Sequence, residues 1–571
     1  MKNALLAVFF LLLPSLPSCA TEGTGMLAND HSFKPTVDIA GSRALYFYSL
    51  SRLKLVEGDP EGALTLLNGA IEADPNSASL HTSAAEIYLK TNRLDDALRA
   101  CDNAIRIDPN YRQARLIAGT ILAAMKRDKE AIVHLKKAVE LDPSKEDAHL
   151  HLAVSYVRVF EYEEAVRTLK ELVALTPDSA LGYYYLGKTY DQMKLQKEAA
   201  NYYRKAIEFK PDFEQAMIDL GIAQEGLGLY EDAIETYRKL LETNPFNATV
   251  VQHLIQLYIQ QQRLEDALPL LSGFKEKGMG GLETLRKMGL IYMELERYDE
   301  AIAEFSLILA KEPQAHQIRF YLASAYEEKG DYSSAIEEFG KIPPTAFNYH
   351  EAIGHIAFSY KEQGMADKGV SILRDAIAAN PKQLDLYLYL AGLYESIGSH
   401  AEGVAVLKGV ENEFATDPRL HFRLGTLYDK MGRKDDSIAE MKRVIALAPD
   451  DAQALNYLGY TYAELGIKLD EALQYLKKAV ELRPNDGFIL DSLGWVYFKL
   501  KKYDEAVAYL ERALKLVDDD LTITEHLADV YAAKREYRKA YELYKKILAA
   551  EPGRKDILEK KRKTKAESLE R

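Results

Sequence analysis

Apolar residues recur at helical spacing twice within every stretch of 34 residues. Between Tyr183 and Pro211, Tyr183, Leu186, Gly187 and Tyr190 lie at i, i+3, i+4 and i+7, which predicts one face of a helix. Ala199, Tyr203 and Ala206 lie at i, i+4 and i+7 and predict the face of a second. Met193–Gln196 is the turn between them. Prolines close most periods. Pro75, Pro109, Pro143, Pro177, Pro211 and Pro245 are 34 residues apart, and Pro313, Pro381 and Pro449 stay in phase. Pro484 comes one residue late, with Pro552 a further 68 on. Proline has no N–H for the helical ladder and restricts the residue before it, so each marks a helix end.

The pattern repeats fifteen times between Ala44 and Pro552. A small residue recurs in the first helix, as at Ala85, Gly119, Ala153, Gly187, Gly425 and Gly494, with Ser51 and Ile255 as exceptions. Another recurs in the second, as at Ala63, Ala97, Ala199, Gly369, Ser437 and Ala540. A tyrosine stands three residues beyond the first small position, as at Tyr88, Tyr190, Tyr394 and Tyr531. This combination resembles the tetratricopeptide repeat. The resemblance implies an all-α fold, a right-handed superhelical solenoid of about 15 helix-turn-helix repeats with a concave groove, in which each unit buries its apolar face on its neighbours. Pentatricopeptide repeats, which read RNA, have a period one residue longer and do not fit the spacing.

Breaks in register divide the array. The seventh unit carries Pro269 inside its second helix and ends in Gly278-Met279-Gly280-Gly281, so residues 273–281 read either as a hinge or as drift in a degenerate repeat. The ninth unit stops early at Pro343-Pro344, and the eleventh gains three residues before Asp417-Pro418. The expected organisation is a signal peptide over 1–18, a lipidated cysteine and tether over 19–43, the repeat array over 44–552, and a basic capping helix or tail over 553–571.

The N-terminus changes where the protein is expected to work. Lys2 precedes ten apolar residues, Ala4 to Leu13, too few for the roughly 20 that span a bilayer. Leu16-Pro17-Ser18-Cys19 resembles the lipobox of bacterial lipoproteins, which implies an acylated Cys19, and Ala20 after it favours the outer membrane, facing the periplasm. The other cysteine, Cys101, falls on a buried helical position as a small hydrophobe. The net charge of −14 speaks against nucleic acid as a ligand, since phosphate contacts need a concentrated positive face.

No catalytic constellation emerges. His149 and His151 are two residues apart on one helix and point to different faces, and no metalloprotease, P-loop or nucleophile-elbow motif occurs. With the repeats running from 44 to 552, neither a catalytic domain nor a cofactor is expected. If the first helix buries positions 4, 7, 8 and 11 of the repeat, positions 2, 5, 9 and 12 form a stripe beside that face, which the resemblance places in the groove. Phe320 and Phe422 at position 5, and Phe358, Tyr460 and Trp495 at position 9, are therefore the candidate partner-binding residues. The expected function is a lipid-anchored periplasmic scaffold holding a protein partner of an envelope assembly, secretion or polysaccharide-export machine. The alternatives are a carrier of extended or unfolded clients and, more weakly, a sugar-polymer binder.

Overall fold

A computed structural model describes residues 39–245 and 247–569. Its 31 helices form fifteen hairpins, from α1 (Ile39–Val56) with α2 (Pro60–Ala73) to α29 (Leu521–Ala533) with α30 (Tyr537–Ala550), followed by α31 (Lys555–Leu569). The array therefore begins five residues before the expected Ala44. The signal peptide, Cys19 and most of the tether lie outside the described residues. The chain divides into two compact units, Met1–Leu257 and Tyr258–Arg571. That division falls inside α13 (Ala248–Gln260), not at residues 273–281.

Small residues close each hairpin. A Cβ on Gly187 would come within 2.5 Å of the Tyr203 ring, and one on Gly494 within 2.6 Å of Leu510 Cγ. The large side chain of the second helix thus sits where the first helix has none. Ser51, an exception to the pattern, fits because its hydroxyl donates to the Ala63 carbonyl at 2.7 Å. The turn inside the hairpin is equally regular. Asn92 and Gly432 adopt φ of 60° and 72°, and the N–H of the residue after each returns to the carbonyl five residues earlier, Arg93 to Tyr88 and Arg433 to Tyr428, both at 2.8 Å. This left-handed cap satisfies carbonyls that the helix end leaves open.

Hairpin stacks on hairpin through positions 3 and 10 of the first helix. In α5 (Arg112–Ala124) these are Ala114 and Ile121, in α27 (Gly487–Lys499) Ile489 and Val496, and in α31 Ile557 and Thr564, all buried. First helices of successive hairpins also touch directly, α3 (Ala78–Lys90) with α5 in the first unit and α27 with α29 in the second. Within each unit the stack therefore closes up on the side of the first helices, the side assigned to the groove.

The breaks in register have local outcomes. The second helix of the ninth hairpin, α18 (Tyr332–Gly340), has nine residues where most have fourteen, and α22 (His400–Val410) has eleven. α14 (Leu264–Glu276) continues through Pro269. Gly278, Gly280 and Gly281 then turn the chain into α15 (Gly281–Glu294) with φ of 67°, 71° and 55°, values that side-chain-bearing residues rarely adopt.

Candidate functional site

The five candidate aromatics all lie on first helices of the second unit. Phe320 is on α17 (His316–Glu328), Phe358 on α19 (Tyr349–Glu362), Phe422 on α23 (Pro418–Lys430), Tyr460 on α25 (Ala452–Leu465) and Trp495 on α27. Phe358, Phe422 and Tyr460 are half-buried and keep part of each ring in solvent. Phe422, Tyr460 and Trp495 belong to one apolar cluster, Phe358 to a second and Phe320 to a third. The helices bearing them form a continuous floor. A Cβ on Gly392 of α21 (Leu384–Ser396) would lie 3.5 Å from Phe358 Cζ and 3.9 Å from Arg423 Nη2, so α21 separates α19 from α23 by one small residue. Phe422 meets Tyr457 at 6.3 Å between ring centroids, and Tyr460 reaches His526 of α29 at 6.5 Å.

Two of the five depart from the expectation of free aromatic faces. Trp495 is only 7% exposed. Its indole stacks on His526 at 4.0 Å and on Phe498 at 4.8 Å, and its Nε1–H donates to Glu464. Phe320 is 9% exposed and packs edge-on against Phe339 and His355. Both rings fill the junction between hairpins. Position 9 gives a side chain its direction, but the neighbouring first helix decides whether that direction opens on water.

The structure also places on this floor a set of residues that the sequence reading missed. A carboxylate in the last turn of one first helix accepts a hydrogen bond from position 6 of the next, 28 residues on. Glu327 faces His355 Nδ1 at 2.6 Å and takes the Ser359 hydroxyl at 2.7 Å. Glu395 takes Arg423 Nη1 at 2.9 Å, and Asp429 is the partner of the Tyr457 hydroxyl. In the first unit Glu225 makes the same clasp with His253 at 2.9 Å. The spacing is constant while the donor changes, so a search for one residue type cannot find it.

These contacts set the protonation of the floor. Burial opposes charge on His355, yet the Glu327 hydrogen bond and charge outweigh it and hold the imidazole above its usual range. Burial pushes the Tyr460 hydroxyl up to about 12, helped by Glu464, Asp491 and Glu525. Asp491 is paired with His526 at 2.8 Å, and Glu525 with Arg554, just before α31, and with Lys560 of α31, each at 2.8 Å. The partly exposed surface is thus aromatic and hydrogen-bonding, with its carboxylates matched to donors.

Chemistry elsewhere is structural. Glu411, His421 and Glu440 bring three potential metal-ligand atoms within 4.8 Å of one another. Glu440 faces His421 Nδ1 at 2.7 Å and also pairs with Lys408 and Arg443, and Glu411 pairs with the same two cations, so the group is a compensated ion-pair network. His149 is buried with Nδ1 3.2 Å from the Lys145 carbonyl oxygen, whereas His151 is only half-buried. The Cys101 thiol is buried and pushed up to about 12 by desolvation, which leaves it a core side chain.

Family models described as tetratricopeptide repeat match residues 55–120, 122–186 and 226–277, residues 450–519, residues 286–346 and 492–555, and residues 180–213 and 418–451. Together they span more than half of the sequence, and the chain belongs to the tetratricopeptide-repeat family. Among solved structures the chain is similar to MamA, with 30% identity over 30% of this chain and 93% of that one and a TM-score of 0.28. It is also similar to Naa15/Naa10 bound to HypK-THB, with 13% identity over 92% and 96% of the two chains and a TM-score of 0.39. Yeast Tom70 aligns at 16% identity over 74% and 95%, with a TM-score of 0.37. A comparison with curated proteins gives no match. Tetratricopeptide-repeat proteins act as scaffolds for protein–protein interaction, and the chain is a protein of that class.

Proposed function

We propose that this chain is a non-enzymatic, lipid-anchored scaffold that holds one defined protein partner of an envelope machine on the first-helix face of its second unit. The observation that carries the reading is the row of half-buried aromatics, Phe358, Phe422 and Tyr460, on the first helices α19, α23 and α25 of a family whose members bind proteins. Large rings that stay partly wet are suited to anchor a segment whose own apolar side chains desolvate them. The clasped carboxylates between the rings offer lone pairs to backbone N–H groups or cationic side chains of that segment. Acylation at Cys19 puts the array in the periplasm at the outer membrane.

The test is purification from gently solubilised envelopes, comparing the wild type with the double variant Phe422→Ser/Tyr460→Ser. One partner at fixed stoichiometry, lost from the variant while helical circular dichroism is kept, supports the scaffold. Many substoichiometric partners would favour the carrier of unfolded clients. Palmitate labelling of the wild type and of Cys19→Ser tests the anchor, and label retained by the variant rules out acylation at Cys19.

A further inference from the structure

The first hairpin breaks a rule that the other first helices obey. Positions 3 and 10 are buried throughout the array by the hairpin before, but in α1 they are Tyr46 and Leu53, at 61% and 52% exposed. Leu45 and Val56 extend the same face and are more exposed still. At the other end α31 closes the array with a polar outer surface that includes Lys555, Arg562, Lys563 and Lys565. One end is sealed, and the other presents the bare stacking face of a repeat.

Charge selects the occupant of that face. The sequence of α1 holds Arg43, Arg52 and Lys54 and no acidic residue, in a chain of net charge −14. Arg43 and Arg52 are exposed beside the apolar stripe, whereas Lys54 pairs with Glu57 at 2.7 Å. A second copy meeting the same face would bring the cations of two α1 helices together with no carboxylate within either. The outer surface of α31 is mostly charged, with Leu558 as an exposed apolar side chain, and offers little apolar complement for head-to-tail stacking. An apolar stripe flanked by cations matches the boundary of a bilayer with anionic headgroups.

We propose that the open face of α1 is a lipid-docking surface, with Leu45, Tyr46, Leu53 and Val56 entering the headgroup boundary and Arg43 and Arg52 meeting lipid phosphates. The inference rests on the reading of Cys19 as the acylated residue, since twenty residue steps separate it from Ile39 and reach at most ~70 Å. An acyl chain and a docked face together hold a protein to a membrane more firmly than one signal alone. Docking fixes which end of the array faces the bilayer.

The test uses the unacylated chain from residue 19 onward, carrying Cys19→Ser, mixed with vesicles and sedimented. Vesicles of phosphatidylethanolamine with phosphatidylglycerol should bind it in a salt-sensitive manner, and vesicles of phosphatidylcholine alone should bind it less. Tyr46→Glu/Leu53→Glu should lower the partition coefficient at least about tenfold with circular dichroism unchanged. Arg43→Gln/Arg52→Gln should remove the preference for the anionic vesicles. Equal partitioning of the wild type and the Tyr46/Leu53 variant overturns the proposal, as does absence of wild-type binding. A wild-type dimer dissolved by the same two glutamates, seen by analytical ultracentrifugation, would assign the face to a second copy. Because no acyl chain is present, failure here is separate from failure of the anchor, which palmitate labelling reads.

Discussion

The two units fill one register of their first-helix surface differently, position 12 of one first helix against position 6 of the next. In the first unit that register carries Leu55 with Ser83, Leu89 with Ile117, Ala123 with His151, Val157 with Tyr185 and Asp191 with Asp219, none of them a carboxylate facing a donor. Leu55, Leu89, Val157 and Tyr185 pack partly buried against apolar clusters, and Glu225 with His253 makes a polar clasp. In the second unit three pairs of the same register are clasps, Glu327 with His355, Glu395 with Arg423, and Asp429 with Tyr457, while pairs such as Met293 with Tyr321 and Lys361 with Tyr389 are not. Apolar contacts hold helices together without specifying direction, whereas hydrogen bonds fix orientation. The repeat frame is common to both units, so the difference lies in side chains that hairpin closure does not require. A surface with fixed polar groups and partly wet aromatics is suited to select a partner.

The largest predicted effect probes the second unit. Trp495→Ala should cost about 3–5 kcal/mol, the usual loss when a buried aromatic leaves a cavity. Urea unfolding checks the magnitude, and hydrogen exchange should show protection lost around α25, α27 and α29 and retained in the first unit. A stable, fully protected variant would return Trp495 to the list of free surface rings.

A smaller effect is expected in the first unit, where Ala199 fills the close contact of the fifth hairpin and is fully buried. Ala199→Leu should overpack it by about 1–3 kcal/mol. In a linear stack the damage should stay in that hairpin and its neighbours. Hydrogen exchange lost uniformly over all fifteen hairpins would contradict that local energetics.

The smallest effect is a pH dependence confined to the second unit. His355 is held above its usual range, so below about 6.5 it is protonated both folded and unfolded, and the Glu327 interaction stabilises fully. As pH rises past that value the unfolded chain loses its proton first, and the stabilisation is lost as pH climbs through the raised folded value. The urea midpoint of the second unit should therefore fall across this window, by a small amount because the side chain is partly exposed. His355→Gln should remove that component of the slope. An unchanged slope would show that the clasp contributes nothing to stability.

The frame was legible because its signals are steric and periodic. Pro211 ends a helix wherever it occurs, and Gly187 is small because the Tyr203 ring occupies the space beside it. The surface was legible only in part. Helical arithmetic put Trp495 on the correct side of α27, but His526, 31 residues away, covers it, and spacing within one helix carries no trace of that. The clasps escaped for a different reason: His355, Arg423 and Tyr457 share a position and a role but no residue type. A carboxylate at position 12 followed 28 residues later by any donor is the signal that would have found them.

The central claim is that the first-helix face of the second unit receives the partner, and site-specific photocrosslinking in cells tests it most directly. A benzophenone side chain placed at Phe422 and, separately, at Tyr460 should give one discrete crosslinked product from both sites. The same group at Gln474 and Ala508, exposed on the second helices α26 (Leu469–Leu482) and α28 (Tyr503–Leu516), should give none. A discrete product from Gln474 or Ala508, with none from Phe422 and Tyr460, would place the partner on the outer face and contradict the account.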